Sequence, residues 1–320
     1  MQGAKRAVQL CCTSDLQRSS APKAGAPNVH VICEQALTPM TTPTDLYCVM
    51  GHPVAHSQSP WIHARFAELT GQTLRYTLRD IALDNFANGV RDFIREGGRG
   101  CNITVPFKFQ AAALADQVSE RAALAQACNT LTFQDGNILA DNTDGIGLVH
   151  DIEQNAGLVL HGKRVLLMGA GGAAAGVLGP LINAGPAHIC LANRTAQRAA
   201  DLVARHQALA ALQNTELIAH DLQGLKANFD VIINGTASSL GGHGVPVAAS
   251  VLKPGALAYD MMYGAPAHGF LAWARAHGAV ARDGLGMLVG QAAASFYIWR
   301  GVTPPTGQVL AELRARLGSL

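Results

Sequence analysis

The chain has 320 residues, 49% of them hydrophobic, and its formal net charge is +2 at pH 7. This length is enough for two domains of ordinary size, and the apolar content is enough for a large core. No run of Lys or Arg suggests a nucleic-acid or membrane-binding patch, and no apolar stretch reaches the roughly 18 residues of a membrane span. The seven cysteines include no C-x-x-C pair, which argues against a disulfide framework or a zinc knuckle and fits a reducing compartment. The twelve histidines are scattered; His52 and His56 stand four residues apart, but we expect a loop-structuring or solvated role for each and predict no metal site.

The first 43 residues differ in composition from the rest. The stretch SSAPKAGAPN is rich in Ser, Ala, Pro and Gly and has no hydrophobic periodicity, as expected of a flexible segment. The segment has no apolar core of a secretory signal. We therefore expect residues 1–43 to be a disordered extension, with a more conventional N-terminus beginning at Met40.

From Asp45 onward, segments with strand and helix patterns alternate. The strand segments are LYCVMG, LRYTLRDI and GCNITV, and the helical ones are SPWIHARFAELTG, FANGVRDFIREGG and KFQAAALADQVSERAALAQA. Ser59 is predicted to cap the first helix, with Pro60 in its first turn. CNTLTFQDGNILADN is predicted to be a hairpin that turns at Asp135-Gly136. This alternation predicts a parallel sheet covered by helices on both faces.

A second unit begins near residue 145. KRVLLMGAGGAAAGVLGPLINAG reads as a buried strand, a glycine turn and a helix. Further strands are predicted at AHICLANRT, FDVIINGT and GALAYDMMYG, and further helices at AQRAADLVARH, LGMLVGQAAASFYIWRG and PTGQVLAELRARLGSL. The whole pattern predicts an α/β protein with two domains.

The glycine turn of this second unit reads MGAGGAAAG over residues 168–176, a slight departure from the common G-x-G-x-x-G. A glycine pattern alone is a weak signal, but here an apolar strand precedes it, a helix follows it, and a second strand comes about 20 residues later. Gly169 permits the tight turn, while Gly171 and Gly172 let backbone amides approach a pyrophosphate at the helix N-terminus. The alternative is that these glycines serve only close strand–helix packing.

The end of the next strand indicates which dinucleotide is bound. In NAD-binding sheets an acid usually holds the ribose 2′-hydroxyl at this place, whereas here the chain reads LANRT. Arg194 is suited to stack on adenine and pair with a 2′-phosphate, helped by Asn193, Thr195 and Arg198. The pattern favours NADP over NAD. The alternative is that Arg194 and Arg198 are ordinary solvated residues at a helix start.

Polar side chains in the first unit gather at strand ends. HSQSP places Ser57 and Ser59 in a loop that enters a helix, where one serine could simply be a cap. Asn102 and Thr104 face the same way by strand alternation. Further polar groups are Lys108, Asn129, Asp141, Asn142, Thr143 and Asp144. Because open α/β sheets bind ligands beyond the carboxyl ends of their strands, Lys108 and Asp144 could form an acid/base couple at an alcohol carbon that exchanges hydride with a nicotinamide.

Together these motifs resemble the shikimate dehydrogenase family over about residues 45–318. The motifs that carry the resemblance are, in this order, GHPVAHSQSP, NITVPFK, CNTL, DNTDGIG, GAGGAA, ANRT, YDMMYG and DGLGMLVGQAA. The resemblance implies reversible reduction of 3-dehydroshikimate to shikimate by NADPH, in the biosynthesis of chorismate and the aromatic amino acids. It also implies that Lys108 is the catalytic acid/base and that Asp144 orients it.

The resemblance implies two sets of binding residues. The substrate would be bound by Ser57, Ser59, Thr104, Lys108, Asn129, Asp144, Tyr263 and Gln291. NADP would be bound by Gly169, Ala170, Gly171, Gly172, Ala173, Asn193, Arg194, Thr195, Ala196, Gln197, Arg198, Met261, Gly284 and, as a further candidate, Glu120.

The implied architecture is an N-terminal mixed α/β substrate domain with a mainly parallel sheet and a Rossmann-type NADP-binding domain, with the cleft between them. The substrate domain would span residues 44–144 and 284–320, since the last helices return to it, and the NADP domain would span residues 145–283. The enzyme would be cytoplasmic, with a homodimer as the candidate assembly, a small-molecule substrate and no nucleic-acid or membrane partner.

Another Rossmann-type reductase, such as a folate-linked dehydrogenase, would not need both DNTDG and SQSP. Two further alternatives stay open at this point. The first is a quinate/shikimate dehydrogenase of the same family, which often uses NAD; the sequence NRT, which lacks an acid, argues against it. The second is a non-catalytic homologue that senses a pathway metabolite. Such a sensor would be expected to lose Lys108 or Asp144 and to gain a DNA-binding segment, but both residues are present.

Overall fold

The computed structural model describes residues 44–225, 227–236 and 245–318. The predicted extension, residues 1–43, lies outside the described residues. The strands are β1 (Asp45–Gly51), β2 (Leu74–Asp80), β3 (Gly98–Ile103), β4 (Gln117–Val118), β5 (Thr130–Gln134), β6 (Asn137–Asp141), β7 (Arg164–Met168), β8 (His188–Asn193), β9 (Glu216–Asp221), β10 (Phe229–Asn234), β11 (Leu252–Asp260) and β12 (Val280–Arg282). The helices are α1 (Ser59–Thr70), α2 (Phe86–Arg95), α3 (Lys108–Leu114), α4 (Glu120–Ala125), α5 (Asp144–His150), α6 (Gly172–Asn183), α7 (Ala196–Leu212), α8 (His268–Ala276), α9 (Leu285–Arg300) and α10 (Thr306–Leu317).

The first sheet has the strand order β2-β1-β3-β5-β6-β4 and is mainly parallel, as predicted. The β1 strand pairs in parallel with β2 and β3, and β4 pairs in parallel with β6, whereas β5 runs antiparallel to both of its neighbours. The predicted hairpin is confirmed between β5 and β6. Asp135 (φ 51°) and Gly136 (φ 80°) form its two-residue turn, in which both residues need a positive φ.

The predicted long helix from Lys108 is interrupted, which is one place where the sequence prediction is wrong. The α3 helix ends at Leu114, and the chain then forms the short edge strand β4 before α4 begins. Asp116 and Ser119 cause the break. The Asp116 carboxylate accepts a hydrogen bond from the Ile138 amide (2.8 Å), and the Ser119 hydroxyl caps α4 by accepting from the Ala122 amide (3.3 Å).

The second sheet is parallel throughout, with the order β12-β11-β10-β7-β8-β9. This is the doubly wound arrangement, with the strand order reversing between β7 and β10, where such sheets bind dinucleotides. The central strands are buried on both faces, which explains their continuous apolar sequences. The sequence analysis did not identify β9, α8 or β12, which lie towards the two edges of this sheet.

The last two helices pack against α1, while Met287 near the start of α9 also joins an apolar cluster of the second sheet. One apolar cluster joins these three helices, and its central members are Ile62 and Phe66 of α1, Phe296 of α9 and Leu313 of α10. The α9 helix also crosses α5 at close range. A β-carbon at Gly147 would lie 2.5 Å from the Met287 carbonyl oxygen, so glycine is required at this crossing. The crossing brings the start of α5 next to Gln291.

Buried hydrophobic side chains in the described part of the chain form apolar clusters, as in the core of a globular protein. No helix among residues 44–225, 227–236 and 245–318 combines the length and apolar character needed to cross a bilayer. Separate apolar clusters lie on the two faces of the second sheet, and another underlies the first sheet.

Candidate active site

An ion pair between Lys108 and Asp144 lies at the centre of the candidate site. The Lys108 Nζ donates to the Asp144 Oδ2, and the two side chains are only 12% and 6% exposed. Each residue is the first of its helix, and each helix follows a strand of the first sheet. The prediction that these two side chains lie together at strand ends therefore agrees with the structure.

Phe107 explains why the chain delivers Lys108 to this place. The Phe107 ring is fully buried and stacks on Phe86, with 4.7 Å between ring centroids. Its amide closes a turn by donating to the Thr104 carbonyl (3.0 Å). Burial of the phenyl ring in the core thus fixes the backbone one residue before Lys108, and the lysine side chain is left to point towards Asp144.

Asn129 joins the ion pair to α9. Its Oδ1 accepts a hydrogen bond from the Thr143 amide (2.8 Å), which fixes the orientation of the side-chain amide. Its Nδ2 therefore faces Asp144 Oδ1 (2.9 Å) and Gln291 Oε1 (3.1 Å). Three of the predicted substrate residues, Asn129, Asp144 and Gln291, are consequently hydrogen-bonded neighbours.

The predicted hydroxyl groups lie at the N-terminal end of α1 and directly after β3. Ser57 Oγ is 3.2 Å from Ser59 Oγ and also accepts from the Ser59 amide (3.3 Å). Ser59 does not cap α1, contrary to the prediction, because the helix begins at Ser59 itself and its N-cap is Gln58. Thr104 packs against Gly51, where an added β-carbon would lie 2.4 Å from the threonine methyl.

Tyr263 connects the second sheet to the loop that carries Ser57 and leads into α1, which we call the serine loop. The residue follows β11, and its hydroxyl lies next to the backbone of Gln58. Burial raises the pKa of this hydroxyl above its usual range, so it stays protonated and able to donate a hydrogen bond at physiological pH. Tyr263 also packs against the cluster of α1 and α9. It is thus a contact between the serine loop and the end of the second sheet.

A buried polar network that the sequence analysis missed lies behind the ion pair. Asn102, which strand alternation predicts to face the same way as Thr104, bonds to protein groups through its side chain. Its Oδ1 accepts from the Tyr76 hydroxyl (2.7 Å), and its Nδ2 faces the Asn129 carbonyl (3.1 Å) and Ser295 Oγ (2.9 Å). Ser295 is fully buried, and a lone serine one turn after Gln291 in an apolar helix was the available signal for it.

The glycine loop has the shape that a dinucleotide pyrophosphate requires. Gly169 has φ +107°, and a β-carbon there would lie 2.8 Å from the Gly235 carbonyl oxygen. Gly171 is the N-cap of α6, and no side chain in the described part of the chain caps this helix. If a β-carbon were added at Gly171, no atom of the described residues would lie within 4 Å of it. The open space in front of a helix N-terminus is where phosphate groups bind. Residues 169–173 therefore fit the group predicted for them.

The candidate ribose-phosphate residues follow β8. Arg194, Thr195, Ala196, Gln197 and Arg198 are all exposed, and the Asn193 side chain donates to the Thr195 carbonyl (2.9 Å). This side-chain-to-backbone contact shapes the turn into α7. The guanidinium groups therefore lie at the free edge of the turn, where they suit an anionic 2′-phosphate.

Met261 and Gly284 are in contact with each other and lie close to the glycine loop. A β-carbon at Gly284 would lie 2.3 Å from the Met261 carbonyl oxygen, and one at Gly235 would lie 3.0 Å from the Met261 sulfur. Because Gly235 also packs against Gly169, Met261 belongs to the same surface as the loop.

Glu120 occupies a different place. This exposed residue of α4 lines a groove of about 880 Å³ together with Pro180 and Asn183, near the C-terminal end of α6. The glycine loop lies at the opposite end of that helix. The structure thus does not bring Glu120 together with the other predicted cofactor residues.

Family models match three parts of this chain. Residues 49–131 match the shikimate dehydrogenase substrate binding domain, residues 151–241 match shikimate / quinate 5-dehydrogenase, and residues 284–314 match the shikimate 5′-dehydrogenase C-terminal domain. Lys108 falls within the first range and Gln291 within the last.

Individual relatives match over nearly their whole length. Shikimate dehydrogenase (NADP(+)) from Acidovorax sp. (strain JS42) is 64% identical over 280 residues, which cover 88% of this chain and 99% of that protein. Among solved structures, an Ael1 enzyme from Pseudomonas putida is 44% identical with a TM-score of 0.76, covering 84% of this chain and 98% of that one. Shikimate 5-dehydrogenase from Thermus thermophilus, solved in complex with NADP(H) and shikimate, is 30% identical with a TM-score of 0.72, covering 86% and 100%.

Proposed function

Because the chain belongs to the shikimate dehydrogenase family, we propose that it catalyses the reversible NADPH-linked reduction of 3-dehydroshikimate to shikimate. The observation that carries this proposal is the Lys108–Asp144 ion pair, which lies directly against the start of the glycine loop helix. A β-carbon added at Gly172 would lie 3.1 Å from Lys108 Cβ. An acid/base group and a dinucleotide site in such close contact suit hydride transfer coupled to proton transfer.

The proposed chemistry divides between the cofactor and the chain. NADPH supplies the hydride that adds to C3 of the substrate. Lys108 donates a proton to the C3 oxygen as the carbonyl becomes a hydroxyl group, and in the reverse direction it accepts that proton. Asp144 holds the lysine ammonium through Oδ2 and is itself held by the Asn129 amide through Oδ1. Its two oxygens therefore fix the direction in which Lys108 points.

We assign the remaining predicted substrate residues to the same site as neutral donors and acceptors. Ser57, Ser59, Thr104 and Tyr263 offer hydroxyl groups, while Asn129 and Gln291 offer amides. Neutral hydroxyl and amide groups suit a ring that carries several hydroxyl groups and one carboxylate, since each ligand oxygen needs a partner once it leaves water. We assign the substrate to the space bounded by these side chains and the ion pair.

The proposal includes a division into domains. The substrate domain would comprise residues 44–144 and 284–320, and the NADP domain residues 145–283. Support comes from the two separate sheets and from the packing of α9 and α10 against α1. Cytoplasmic location and homodimer formation stay predictions, to be checked by cell fractionation and by sedimentation of the purified protein.

The test is an assay of reduced-cofactor absorbance with shikimate or quinate as substrate and NADP+ or NAD+ as oxidant. We expect rapid turnover with shikimate and NADP+, and much slower turnover in the other three combinations. Comparable turnover with quinate and NAD+ would assign the chain to the quinate-using branch instead. Binding of shikimate without turnover in any combination would contradict the proposed catalysis and would favour a sensing role.

A further inference from the structure

We propose that Tyr76 is a positioning residue for this reaction, acting through Asn102 on Asn129 and so on the Asp144 carboxylate. The inference rests on the proposed function. Tyr76 belongs to β2, the edge strand of the first sheet, and is not part of the ion pair. Its hydroxyl is nevertheless connected to Asp144 through a short series of hydrogen bonds between groups buried in the protein.

The direction of each bond in this series follows from chemistry. The Asn129 carbonyl accepts hydrogen bonds and cannot donate, so the Asn102 side chain must turn its NH2 group towards it (3.1 Å). Asn102 Oδ1 then faces away, and it requires a donor because the residue is 5% exposed. The Tyr76 hydroxyl is that donor, at 2.7 Å. Tyr76 thus supplies the donor for Asn102 Oδ1, while Asn102 Nδ2 bonds to the Asn129 carbonyl on the side of the network nearer Asp144.

Asn102 in turn holds the residue that touches Asp144. The Asn129 carbonyl receives two hydrogen bonds, from Asn102 Nδ2 and from the Ile103 amide (2.8 Å). The side chain of the same residue donates to Asp144 Oδ1 (2.9 Å). Displacement of Asn102 would therefore shift Asn129 relative to the carboxylate, and a shift of a fraction of an ångström at a reacting group is enough to slow a proton transfer.

The ring of Tyr76 is held independently of its hydroxyl. It stacks on His63 of α1 with 4.2 Å between centroids and 4° between planes. His63 is fully buried, and burial lowers its pKa to about 3, so the stack joins two neutral rings at physiological pH. A Tyr76→Phe variant should keep this stack and lose the donor to Asn102, together with the contact of the same hydroxyl with Ser59, a predicted substrate residue, so that KM has to be measured beside kcat.

Tyr47 provides a matched control in the same cluster. It lies directly beside Tyr76 in the pairing of β1 with β2, is 3% exposed, and stacks on Trp299 with 4.7 Å between centroids. Its hydroxyl, however, contacts Arg300 rather than Asn102. Tyr47→Phe therefore removes the same group from a neighbouring buried ring without touching the network behind Asp144.

The experiment compares the parent enzyme with Tyr76→Phe, Tyr47→Phe, Asn102→Ala and the double variant Tyr76→Phe/Asn102→Ala. Calorimetric titration with shikimate counts the competent sites, so that kcat is expressed per site. We expect Tyr76→Phe to lower kcat per site about five- to twentyfold while KM for shikimate changes by less than about threefold. Tyr47→Phe should stay within about twofold of the parent. Added to Asn102→Ala, the Tyr76 change should have no further effect on kcat, since both act through one amide.

Three results would overturn the inference. They are a kcat per site for Tyr76→Phe equal to that of Tyr47→Phe, a fall explained entirely by fewer binding sites, or full additivity with Asn102→Ala. If Asn102→Ala does not fold, Ser295→Ala replaces it, because Ser295 Oγ accepts from the same amide (2.9 Å). A parent protein without shikimate-dependent reduction of NADP+ would instead refute the proposed function, and this inference with it.

Discussion

Gly172 lies in contact with Lys108, so that a β-carbon at residue 172 would be 3.1 Å from Lys108 Cβ. This distance is shorter than ordinary van der Waals contact, and a methyl group there would push the lysine stem away from the helix start. We expect Gly172→Ala to lower kcat about tenfold, since the lysine ammonium moves relative to Asp144. Steady-state kinetics with shikimate and NADP+ would measure this.

Gly171→Ala is the matched control for that change. An added β-carbon at this neighbouring position would have no atom of the described residues within 4 Å, so its methyl group meets only the space assigned to the pyrophosphate. We expect Gly171→Ala to raise KM for NADP+ with little change in the affinity of the free enzyme for shikimate. Identical kinetic defects in the two variants would argue against a specific contact between Gly172 and the lysine.

Removal of the lysine tests the proton-transfer role directly. Lys108→Ala should lower kcat by about 10²- to 10⁴-fold, the usual contribution of general acid–base catalysis, and should keep much of the shikimate affinity. Lys253→Ala is a suitable control because that lysine also pairs with an aspartate, Asp230 (2.8 Å), at the second sheet. Near-normal kcat for Lys108→Ala in a steady-state assay would rule out the assignment.

Asp144 is expected to affect both binding and turnover. In Asp144→Asn one carboxylate oxygen becomes an NH2 group, which leaves either Lys108 or Asn129 facing a donor instead of an acceptor. We expect kcat/KM for shikimate to fall about 10²-fold or more, with contributions from kcat and from KM. An unchanged kcat/KM would show that the carboxylate does not orient the lysine.

The part of the site predictable from sequence is the part set by local rules. The sequence predicts Lys108 beside Asp144 because residues that follow parallel strands gather at one edge of a sheet, and the structure pairs them. The orientation of Asn102 follows no local rule. Its partners Tyr76, Asn129 and Ser295 are 26, 27 and 193 residues distant in the chain, so only the assembled fold determines which way its amide points.

The same distinction holds for the fold. Hydrophobic runs and glycine turns identified the buried strands of the second sheet, whereas the break between α3 and α4 depends on the pairing of β4 with β6, which comes later in the chain. Helix propensity alone predicts that the helix continues through the segment between α3 and α4. Serine is favoured at helix N-caps, which is why the sequence predicts a cap at Ser59, but the helix starts one residue earlier than that role requires.

Cofactor choice is expected to depend on Arg194. Arg194→Ala removes an exposed guanidinium from the turn after β8. Loss of a charge-assisted hydrogen bond to the 2′-phosphate should raise KM for NADP+ about tenfold or more. Because NAD+ lacks that phosphate, KM for NAD+ serves as the internal control and should change little. Equal effects on both cofactors would mean that Arg194 does not recognise the phosphate.

Asp151 gives a prediction about stability and pH. It is fully buried at the start of the short π-helix (Asp151–Asn155) that follows α5, and it accepts from Arg282 (2.6 Å), Tyr259 (2.7 Å) and Asn155 (2.8 Å). Burial alone would raise the pKa of Asp151, but the hydrogen bonds outweigh it and the pKa is lowered from the ordinary value of 3.8. Because its pKa is lower in the folded state, the Asp151 carboxylate stabilises the fold fully at pH values above its pKa in the unfolded chain. This contribution to stability is lost as the pH falls through the pKa of the folded state.

Asp151→Asn should therefore destabilise the protein at pH 7 by about 3–5 kcal/mol, because Arg282 is left without its counter-charge in a largely buried place. Urea unfolding at pH 7 and at a pH near the unfolded pKa would measure the difference, which should shrink in acid. Asp230→Asn is the control, since Asp230 also has a lowered pKa but lies on a more exposed pair with Lys253. An Asp151→Asn effect no larger than that of Asp230→Asn, or one that grows in acid, would contradict this account of the buried carboxylate.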